Sequence, residues 1–438
     1  MPAVSSGERL TTTGGREATT RHIPPRLALA VGRPDACPPS GWEWRALTDL
    51  ARLESGHTPS RRHPEYWGGD IPWISIRDAK ARHGGVIVET EENTNELGIA
   101  NSSARLLPAG TVCLSRTASV GYVVVTERPM ATSQDFVNWV CGTDLDPLFL
   151  KYIFIAEGAN LLRFSSGAVH QTIYFPEVKA FHACVPSRSE QQRIVAILDE
   201  AFEGIATAKA NAEKNLKSSR ELLTDHSDRL FTGGVSDWSE LPLEAVASIT
   251  NGFAFKSADF TSSVGVKCIK ITNVGVGEFV QTVGDLLPLD FSDKYAAFEA
   301  RKGNIVLALT RAIIATGLKV AVVPDGYDKA LVNQRVAAIA PSPDRVSAEF
   351  LSTYLSTRRV REYVEDRVIT LMQPNLSILD LRSLPVPVPN MSIQQRLLQS
   401  LAILRQEVET AVSIYRRKIA ALDELKKSLL HQAFSGVL

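Results

Sequence analysis

The sequence predicts an α+β protein in which two globular domains are joined by two long helices that form an antiparallel coiled coil, with a pseudo-twofold internal repeat. Three observations lead to this prediction. The chain of 438 residues presents the same order of motifs twice, roughly two hundred residues apart. Short alternating strands, broken by Gly and Pro, fill the first part of each copy. A long segment without proline, in which apolar residues recur every three or four positions, closes each copy.

The motif order divides the chain into five segments. Residues 1–40, with clustered Thr, Gly and Pro, are expected to be a disordered N-terminal extension and are left out of the fold. The first globular domain is predicted at 41–186 and the first long helix at 187–234. The second domain follows at 235–389 and the second long helix at 390–438. This length is typical of two to three domains, and an apolar fraction of 44% is enough for more than one core.

Matching segments establish the repeat. Residues 74–78 (ISIRD) and 269–273 (IKITN) are each predicted to be an apolar alternating strand. The other matching pairs are 110–117 with 303–311, 149–152 with 350–354, 191–193 with 394–396, and 231–233 with 434–436. Because the order is preserved throughout, the repeat describes a whole domain with its helix, and not the short unit of a solenoid.

Each long segment is predicted to be one continuous helix. At 1.5 Å per residue, about forty residues make a helix of about 60 Å, so the two helices most simply pack against each other. The candidate caps and terminal glycines are Ser187 or Ser189 with Gly233 in the first helix, and Asn390 or Ser392 with Gly436 in the second. The residues predicted to form the interface between the helices are Ile194, Leu198, Ala201, Ile205, Leu216, Leu223, Leu397, Leu401, Leu404, Val408, Leu422, Leu425 and Leu429.

Composition excludes several classes of function. A net charge of zero argues against a non-specific coat on nucleic acid, although a basic face can lie within a neutral total. The five cysteines contain no CxxC pair, so neither a disulfide framework nor a zinc site is indicated, and reduced thiols suggest a cytoplasmic protein. No apolar run approaches the roughly 20 residues that span a membrane. The sequence lacks a GxxxxGK[ST] loop and an Asn-Pro-Pro-Tyr or Asp-Pro-Pro-Tyr segment, so no catalytic or metal site is predicted.

Three segments carry a resemblance to a known family: 186–194 (PSRSEQQRI), 230–233 (LFTG) and 432–436 (QAFSG). Their order, with one globular domain before each long helix, resembles the specificity subunit of Type I restriction-modification systems over nearly the whole chain after the N-terminal extension. One departure is Ile393, which stands where the first copy has Glu190.

The resemblance implies a non-catalytic subunit of a bacterial defence complex. Its two globules would be target recognition domains, each reading one half of a bipartite, asymmetric target in double-stranded DNA. The helices would set the spacer between the half-sites and dock two methyltransferase subunits, which restriction or translocase subunits then join. No cofactor is expected on this chain, and S-adenosylmethionine, ATP and Mg are expected on the partner subunits.

Two other functions remain open at this point. One is a protein–protein adaptor with duplicated binding domains and no DNA specificity. The other is a self-sufficient methyltransferase-nuclease, against which the missing nucleotide and methyl-donor motifs count.

Candidate DNA contacts follow from the side chains that read base edges and phosphates: Arg or Lys for guanine, Asn or Gln for adenine, Ser or Thr for phosphate. In the first copy they are His57, Thr58, Ser60, Arg61, Arg62, Arg77, Arg116, Thr117, Gln134, His170 and Gln171. In the second copy they are Phe255, Lys256, Ser257, Thr272, Asn273, Thr310, Arg311, Asn333, Gln334, Gln373 and Asn375.

Not all of these candidates suit the recognition of DNA bases equally. Gln134 and Gln334 fall at the same point of the repeat, and the same match is assumed for Arg116 and Arg311. Matching residues fit a shared structural role as well as DNA contact. Residues 57–70 have no evident match in the second copy and are better candidates for specificity. A solvated loop over a packed aromatic pair is the alternative interpretation of that segment.

Overall fold

The computed structural model describes residues 38–167, 171–232, 238–261, 264–368 and 375–438, together with two short strands within the first eighteen residues. The rest of the predicted extension 1–40, and the predicted residues Gly233, His170 and Gln373, lie outside the described residues. The chain divides into two compact units, called unit 1 (Met1–Asn211 with Lys418–Leu438) and unit 2 (Ala212–Arg417). Each unit holds one globule, the beginning of the long helix that follows it and the end of the other long helix.

Unit 1 has one five-stranded sheet, one three-stranded sheet and two strand pairs. Its strands are β1 (Leu10–Thr11), β2 (Glu17–Ala18), β3 (Glu43–Ala46), β4 (Ala51–Ser55), β5 (Trp67–Ile74), β6 (Val86–Ile87), β7 (Asn93–Thr94), β8 (Val112–Ser115), β9 (Val123–Thr126), β10 (Ala131–Thr132), β11 (Phe136–Cys141) and β12 (His182–Val185). Its short helices are α1 (Leu47–Leu50), α2 (Ile76–Ala81), α3 (Glu96–Ala100), α4 (Pro147–Glu157) and α5 (Phe175–Lys179), with 3-10 turns at Pro64–Tyr66 and Gly158–Phe164. The larger sheet has the order β4-β11-β8-β9-β6, the smaller one β10-β5-β7, and β1 pairs with β2 and β3 with β12.

The first long helix, α6 (Arg188–Thr232), leads from unit 1 into unit 2, whose globule has two four-stranded sheets and two strand pairs. Its strands are β13 (Ser239–Pro242), β14 (Ala247–Asn251), β15 (Val266–Ile269), β16 (Leu286–Leu287), β17 (Glu299–Ala300), β18 (Ile305–Ala308), β19 (Ile313–Ile314), β20 (Gly317–Leu318), β21 (Val320–Val322), β22 (Ala330–Val332), β23 (Val336–Pro341) and β24 (Pro385–Val388). Its short helices are α7 (Leu243–Val246), α8 (Phe291–Lys294), α9 (Ala348–Leu355), α10 (Arg358–Arg367) and α11 (Ile378–Arg382), with 3-10 turns at Ser257–Asp259, Ile271–Asn273, Ala296–Phe298 and Asp325–Tyr327. The sheets have the orders β14-β23-β18-β21 and β16-β15-β22-β17, and the pairs are β13 with β24 and β19 with β20. The second long helix, α12 (Met391–Phe434), closes the chain.

The two globules share one strand-pairing scheme. In unit 1, β11 lies antiparallel between β4 and β8, and β5 runs parallel to β10. In unit 2, β23 lies antiparallel between β14 and β18, and β15 runs parallel to β22. The predicted duplication of an α+β domain is therefore confirmed.

Both segments that were predicted to be alternating strands leave their sheet after the first residue and begin a helix or a 3-10 turn at the third. β5 ends at Ile74, Ser75 caps α2, and the Asp78 side chain closes the capping box. In unit 2, Oδ1 of Asn273 accepts the N–H of Lys270 at 2.8 Å at the matching turn. The strand prediction is wrong for the rest of each segment, because a polar side chain three residues on satisfies the backbone locally and starts a turn.

The caps of the long helices agree with the candidates from the sequence. The hydroxyl of Ser187 accepts the N–H three residues on at 3.4 Å, and Oδ1 of Asn390 does the same at 3.0 Å, so these two are the caps among the alternatives. At the end of α12, Gly436 has a left-handed φ of 73°, and the amide of Val437 bonds back to the carbonyl of Gln432, which is a Schellman ending. Within the described residues, no helix is long and apolar enough to cross a membrane.

In unit 1 the long helices run antiparallel. Arg193 donates to the backbone oxygen of Leu438 at 2.6 Å, and further along α6 the ammonium of Lys209 lies 2.8 Å from the carboxylate of Asp423. As α6 advances from one contact to the other, α12 moves backwards along its sequence. The predicted antiparallel pairing is therefore confirmed.

The end of each long helix belongs to the core of the globule that precedes the other helix. Leu430 and Ala433 of α12 are buried in the core of unit 1, where the ring of Phe434 lies 5.3 Å from that of Phe149. The end of α6 places the fully buried Phe231 in the core of unit 2. Each globule is thus completed by residues that are distant in the sequence.

One prediction for the helix interface is wrong. The predicted residues that are buried are Ile194, Leu198, Ile205, Leu401 and Val408, and those partly buried are Ala201, Leu216, Leu223, Leu397, Leu404, Leu422 and Leu429. Leu425 is 46% exposed, so the prediction that it lies in the interface is wrong. The prediction assumed a strict 3.5-residue repeat, whereas an α-helix has 3.6 residues per turn, so the buried stripe drifts along a helix of this length.

The first glutamine of each Gln-Gln pair joins a long helix to its own globule. Gln191 is fully buried, and its side chain accepts the N–H of Asp146 at 2.8 Å and donates to the carbonyls of Asp144 and Pro186. Gln394 makes the equivalent three bonds in unit 2, to the backbone of residues 347, 345 and 389. This shared network explains why the motif occurs twice.

Candidate nucleic-acid interface

A close backbone contact, present in both units, positions the candidate residues. It lies where the strand β4 or β14 leaves its sheet. A Cβ atom on Gly56 would lie 1.9 Å from the carbonyl oxygen of Ser133, and one on Gly252 would lie 2.1 Å from that of Asn333. Since real Cβ atoms do not approach so closely, only glycine allows this contact. It brings the loop after the first sheet strand beside the turn that carries Gln134 or Gln334.

In unit 1 this contact forms the floor of an open cleft. Four of the residues predicted from the sequence meet there: Thr58, Arg61, Arg77 and Gln134. The cleft is completed by Trp73, Ser75, Ile76, Glu91, Glu92, Ser133 and Asp135. The hydroxyl of Thr58 donates to the side-chain oxygen of Gln134, which joins the two sides of the cleft. The chain segments that meet here are far apart in the sequence, so only the fold creates this site.

Two arginines in the cleft are paired with glutamates. Both terminal nitrogens of Arg61 donate to the two carboxylate oxygens of Glu92, at 2.7 and 2.6 Å. Arg77 donates to Glu91 at 2.7 Å. These hydrogen bonds raise the pKa of both guanidinium groups, and the bond from Arg61 lowers the pKa of Glu92. The cleft is therefore an array of oriented charges and not a bare cationic patch.

Arg116 lies below this surface. Its guanidinium group donates to the carbonyl of Gln134 at 3.2 Å and lies 4.9 Å from the ring of Phe175. Burial lowers its pKa. The adjacent Thr117 shares a 2.7 Å hydrogen bond with Thr172. These contacts favour a structural role for both side chains.

The backbone register shows that Arg116 and Arg311 are not equivalent. The N–H of Arg116 donates to the carbonyl of Asp135 at 2.8 Å, and in unit 2 the same bond runs from Leu309 to Arg335, also at 2.8 Å. Leu309 is thus the counterpart of Arg116. Arg311 is the counterpart of Ala118, and both have a left-handed backbone, with φ of 47° and 60°. The assumed match of the two arginines is wrong by two positions.

The other candidates of unit 1 surround the cleft. Ser60 and Arg62 are exposed in the loop, and His57 is partly buried, with its carbonyl accepting the indole N–H of Trp73 at 3.1 Å. Gln171 is exposed and bonded to Ser165. His170 lies outside the described residues.

In unit 2 the structure contradicts one predicted DNA contact and gives a packing role to another candidate. Asn273 is fully buried, and its amide donates to the carbonyl of Val280 and the hydroxyl of Thr282, so the prediction that it contacts DNA is wrong. The oxygen and nitrogen of its amide, which are the groups that could pair with adenine, instead bond to atoms of this turn. Phe255 is 7% exposed in an aromatic cluster, where its ring lies 5.3 Å from that of Tyr295, so it packs and does not present a face to solvent.

The remaining candidates of unit 2 lie nearer the surface. Those that are exposed are Lys256, Ser257, Thr272, Arg311, Gln334 and Asn375, and Thr310 and Asn333 are partly buried. Thr310 and Asn375 form a β-bridge, at the point where unit 1 bridges Thr117 and Thr172. Gln373 is outside the described residues.

Residue types at matching positions of the two units differ in charge. Ser75 corresponds to Lys270, whose ammonium lies 2.6 Å from Asp285, and Asp135 corresponds to the exposed Arg335. Sequence reasoning missed these residues. It also missed the acidic partners Glu91 and Glu92, because it selected no carboxylates. Carboxylates also recognise DNA bases, because they accept a hydrogen bond from cytosine, and a search that considered cytosine would have included Glu91 and Glu92.

Within the described residues, no group of three or more His, Cys, Asp or Glu side chains is placed to hold a metal ion. The cleft of unit 1 offers hydrogen-bond donors and acceptors, several of them held by partners, and unit 2 presents other side chains on a backbone of the same design.

Comparison with known proteins identifies the relatives of this chain. The family model described as Type I restriction modification DNA specificity domain matches it twice, at residues 39–217 and 235–414. The MjaVIII specificity subunit of a Type I restriction enzyme from Methanocaldococcus jannaschii is 24% identical over 421 residues, which are 91% of this chain and 93% of that protein. The EcoR124I/EcoR124II specificity subunit from Escherichia coli is 28% identical over 166 residues, 36% of this chain and 40% of that one.

Two solved structures share the fold. One is a chain from a study of complex assembly and conformational transition of the type I R-M system. It superposes with a TM-score of 0.72 at 18% identity, and the match covers 92% of this chain and 100% of that one. The HsdS subunit from Thermoanaerobacter tengcongensis superposes with a TM-score of 0.59 at 18% identity, covering 92% and 99%. The likeness extends over both globules and both long helices.

Proposed function

We infer, from the premise that this chain belongs to the Type I restriction-modification DNA specificity family, that it is the DNA-recognition subunit of a Type I restriction-modification complex. Each globule is a target recognition domain that reads one half of a bipartite DNA target. The chain contributes recognition and no catalytic step. The adaptor function without DNA specificity is not favoured, because the relatives are specificity subunits.

One observation carries this function at the level of residues: the two units keep the same scaffold and change the side chains that it presents. Equivalent backbone bonds hold Asp135 and Arg335 in place, yet one side chain is an anion and the other a cation. Likewise Arg77 of unit 1 corresponds to Thr272 of unit 2. Two readers of unlike half-sites require this combination of constant geometry and variable chemistry.

The side chains that the two units present suit a duplex. Arginine donates to guanine and glutamine pairs with adenine through the major groove, whereas hydroxyls and unpaired cations hold phosphates. Arg61 and Gln134 would take the first role in unit 1, and Gln334 and Arg335 would take it in unit 2. Exposed Lys256 and Arg62 suit phosphate contacts, because they are cations outside the paired arrays.

The partners and cofactors complete the proposal. The paired helices α6 and α12 would set the spacer between half-sites and dock two methyltransferase subunits, and restriction or translocase subunits would join this core. S-adenosylmethionine, ATP and Mg would bind to those partners. The complex would act in the cytoplasm, where the DNA of a prokaryotic cell lies. Support for this part comes from the family and from the exposed apolar residues Ile403 and Ile414 on α12, which are 63% and 49% exposed.

The test is to map methylated adenines in cells that contain this chain with its methyltransferase subunits. We expect one bipartite motif with two unlike halves and a fixed gap. The variants Asp135→Asn and Arg335→Gln should each relax one half of the motif and leave the other half unchanged. A motif without two halves, or a simultaneous change of both halves in either variant, would contradict the assignment of one half-site to each unit.

A further inference from the structure

We infer that Arg61 reads a guanine in the half-site of unit 1 and that Glu92 is the positioning residue for this contact. The inference rests on the proposed function, because it names a base that one target recognition domain would select. Three features carry it: the way in which Arg61 is held, the donors that remain available, and the contrast with the neighbouring Arg77.

The guanidinium plane of Arg61 is fixed from two directions. Glu92 receives one hydrogen bond from each terminal nitrogen, at 2.7 and 2.6 Å, in a fork-to-fork arrangement. The plane also lies over the ring of Trp67, with the central carbon 3.8 Å from the ring centroid, and 5.2 Å from that of Trp73. The two indoles are themselves packed edge to face at 5.1 Å. A side chain held in this way loses little further freedom when it binds a base.

The hydrogen bonds to Glu92 leave a second fork available. A guanidinium group has five N–H donors, and the carboxylate takes one from each terminal nitrogen. The Nε–H and the second hydrogen of Nη2 point in the same direction within the plane, and no described group accepts from them. This pair matches O6 and N7 of guanine, which accept a bidentate arginine in the major groove. The Arg61 side chain is 50% exposed, so a duplex can reach it.

Arg77 provides an internal contrast. Among the described residues it makes one hydrogen bond, from Nη1 to Glu91, and lies over no aromatic ring, and its side chain is 79% exposed. A cation held at a single point suits a phosphate, which needs charge and not a fixed plane. The fifth residue after the matching glycine of unit 2 is Ser257, so this particular arginine contact has no counterpart at that position of unit 2.

The experiment uses the full chain assembled with its methyltransferase subunits, after the wild-type motif has been mapped. Binding is measured for the matched duplex and for duplexes substituted at each guanine of each half-site. In Arg61→Lys the charge stays and the planar fork is lost, so discrimination at one guanine should fall about 5- to 100-fold, with every other position unchanged. Glu92→Gln should relax the same position to a smaller extent, because the arginine remains and its hold weakens.

The matched control is Arg82→Lys, at an exposed arginine whose side chain makes no hydrogen bond or ion pair among the described residues. It should leave every discrimination ratio unchanged. Because each ratio compares two duplexes on the same preparation, a variant that is partly unfolded lowers both affinities and not the ratio.

The outcomes separate the inference from the proposed function. If Arg61→Lys keeps wild-type discrimination at every guanine, or weakens binding to all duplexes equally, Arg61 is a structural tie or a phosphate contact and the inference is overturned. If the wild-type complex shows no bipartite motif at all, the proposed function itself fails.

Discussion

The buried glutamines at the start of the long helices offer a direct test of how each helix is fixed to its globule. Replacing Gln191 by alanine removes one acceptor and two donor contacts, leaving the N–H of Asp146 and the carbonyls of Asp144 and Pro186 without their partner. At about 1 kcal/mol for each hydrogen bond, the expected loss is about 3 kcal/mol. For a unit of this size that corresponds to a fall in melting temperature of roughly 6 to 12 °C.

The matched control lies one residue further on. Gln192 is exposed, lies in the same helical turn, and has the same residue type and the same change in helix propensity, so Gln192→Ala should change stability by less than about 0.5 kcal/mol. Thermal unfolding of the full chain followed by circular dichroism gives the difference between the two variants. Hydrogen exchange followed by mass spectrometry locates it, since amides of residues 143–150 should exchange faster in Gln191→Ala.

Unit 2 provides an independent repetition. Gln394→Ala should produce the same loss as Gln191→Ala, with Gln395→Ala as its control, and should speed exchange at residues 345–350 instead. Equal melting temperatures for Gln191→Ala and Gln192→Ala would refute the reasoning, because they would mean that the buried network contributes no net stability. Faster exchange in the opposite unit would refute the locality of the contact.

Three further predictions concern packing and thiol chemistry. Gly56→Ala should destabilise unit 1 by more than about 2 kcal/mol in a urea titration, since its Cβ would lie 1.9 Å from a carbonyl oxygen. In the same titration, Gly204→Ala on α6 should stabilise the protein by about 0.5–1 kcal/mol, because nothing lies within 4 Å of the added Cβ. Leu430→Ala, at 6% exposure, should lower the free energy of unfolding by about 2–5 kcal/mol, while Leu425→Ala, at 46% exposure, should lower it by less than about 1 kcal/mol. Equal unfolding midpoints in urea would show that α12 does not complete the core of unit 1. Burial raises the pKa of Cys141 and Cys268 to about 12 and of Cys184 to about 11. These thiols should therefore react slowly with iodoacetamide at pH 8, faster as the pH rises towards those values, and at once in denaturant. Rapid labelling of the native protein at pH 8, assigned by peptide mapping, would contradict this.

The repeat and its long helices could be predicted from the sequence because their pattern is local. A cap such as Asn390 and a terminal glycine such as Gly436 act within one turn, and a stripe of apolar residues shows which face of a helix is buried. The stripe does not show what covers it. That the end of α12 enters the core of unit 1 depends on Phe434 meeting Phe149, which no periodicity reveals.

The candidate interface was only partly predictable, because residue type does not fix residue role. Asn273 has the groups that pair with adenine, yet the same groups close a turn in the interior. Arg61 was identified as a candidate, but its partner Glu92 lies 31 residues away along the chain and was passed over as an acid. Sequence comparison of the two copies aligned Arg116 with Arg311 by type, whereas the backbone bonds place them at different positions.

The same distinction between backbone and side chain explains how a scaffold of this kind can change its DNA target. The contacts that fix the geometry are made by glycines and by backbone N–H and carbonyl groups, as at Gly56 and in the bond between Arg116 and Asp135. Such contacts constrain the backbone without specifying the side chain of the acceptor residue. Unit 2 makes the same bond with Arg335 in place of Asp135, which reverses the charge at that position at no cost in backbone hydrogen bonding. Substitutions at an exposed position such as Arg335 should therefore alter base preference with a stability change within about 0.5 kcal/mol, the usual range for surface sites, whereas a substitution at either glycine disturbs the arrangement on which the preference of its own unit depends.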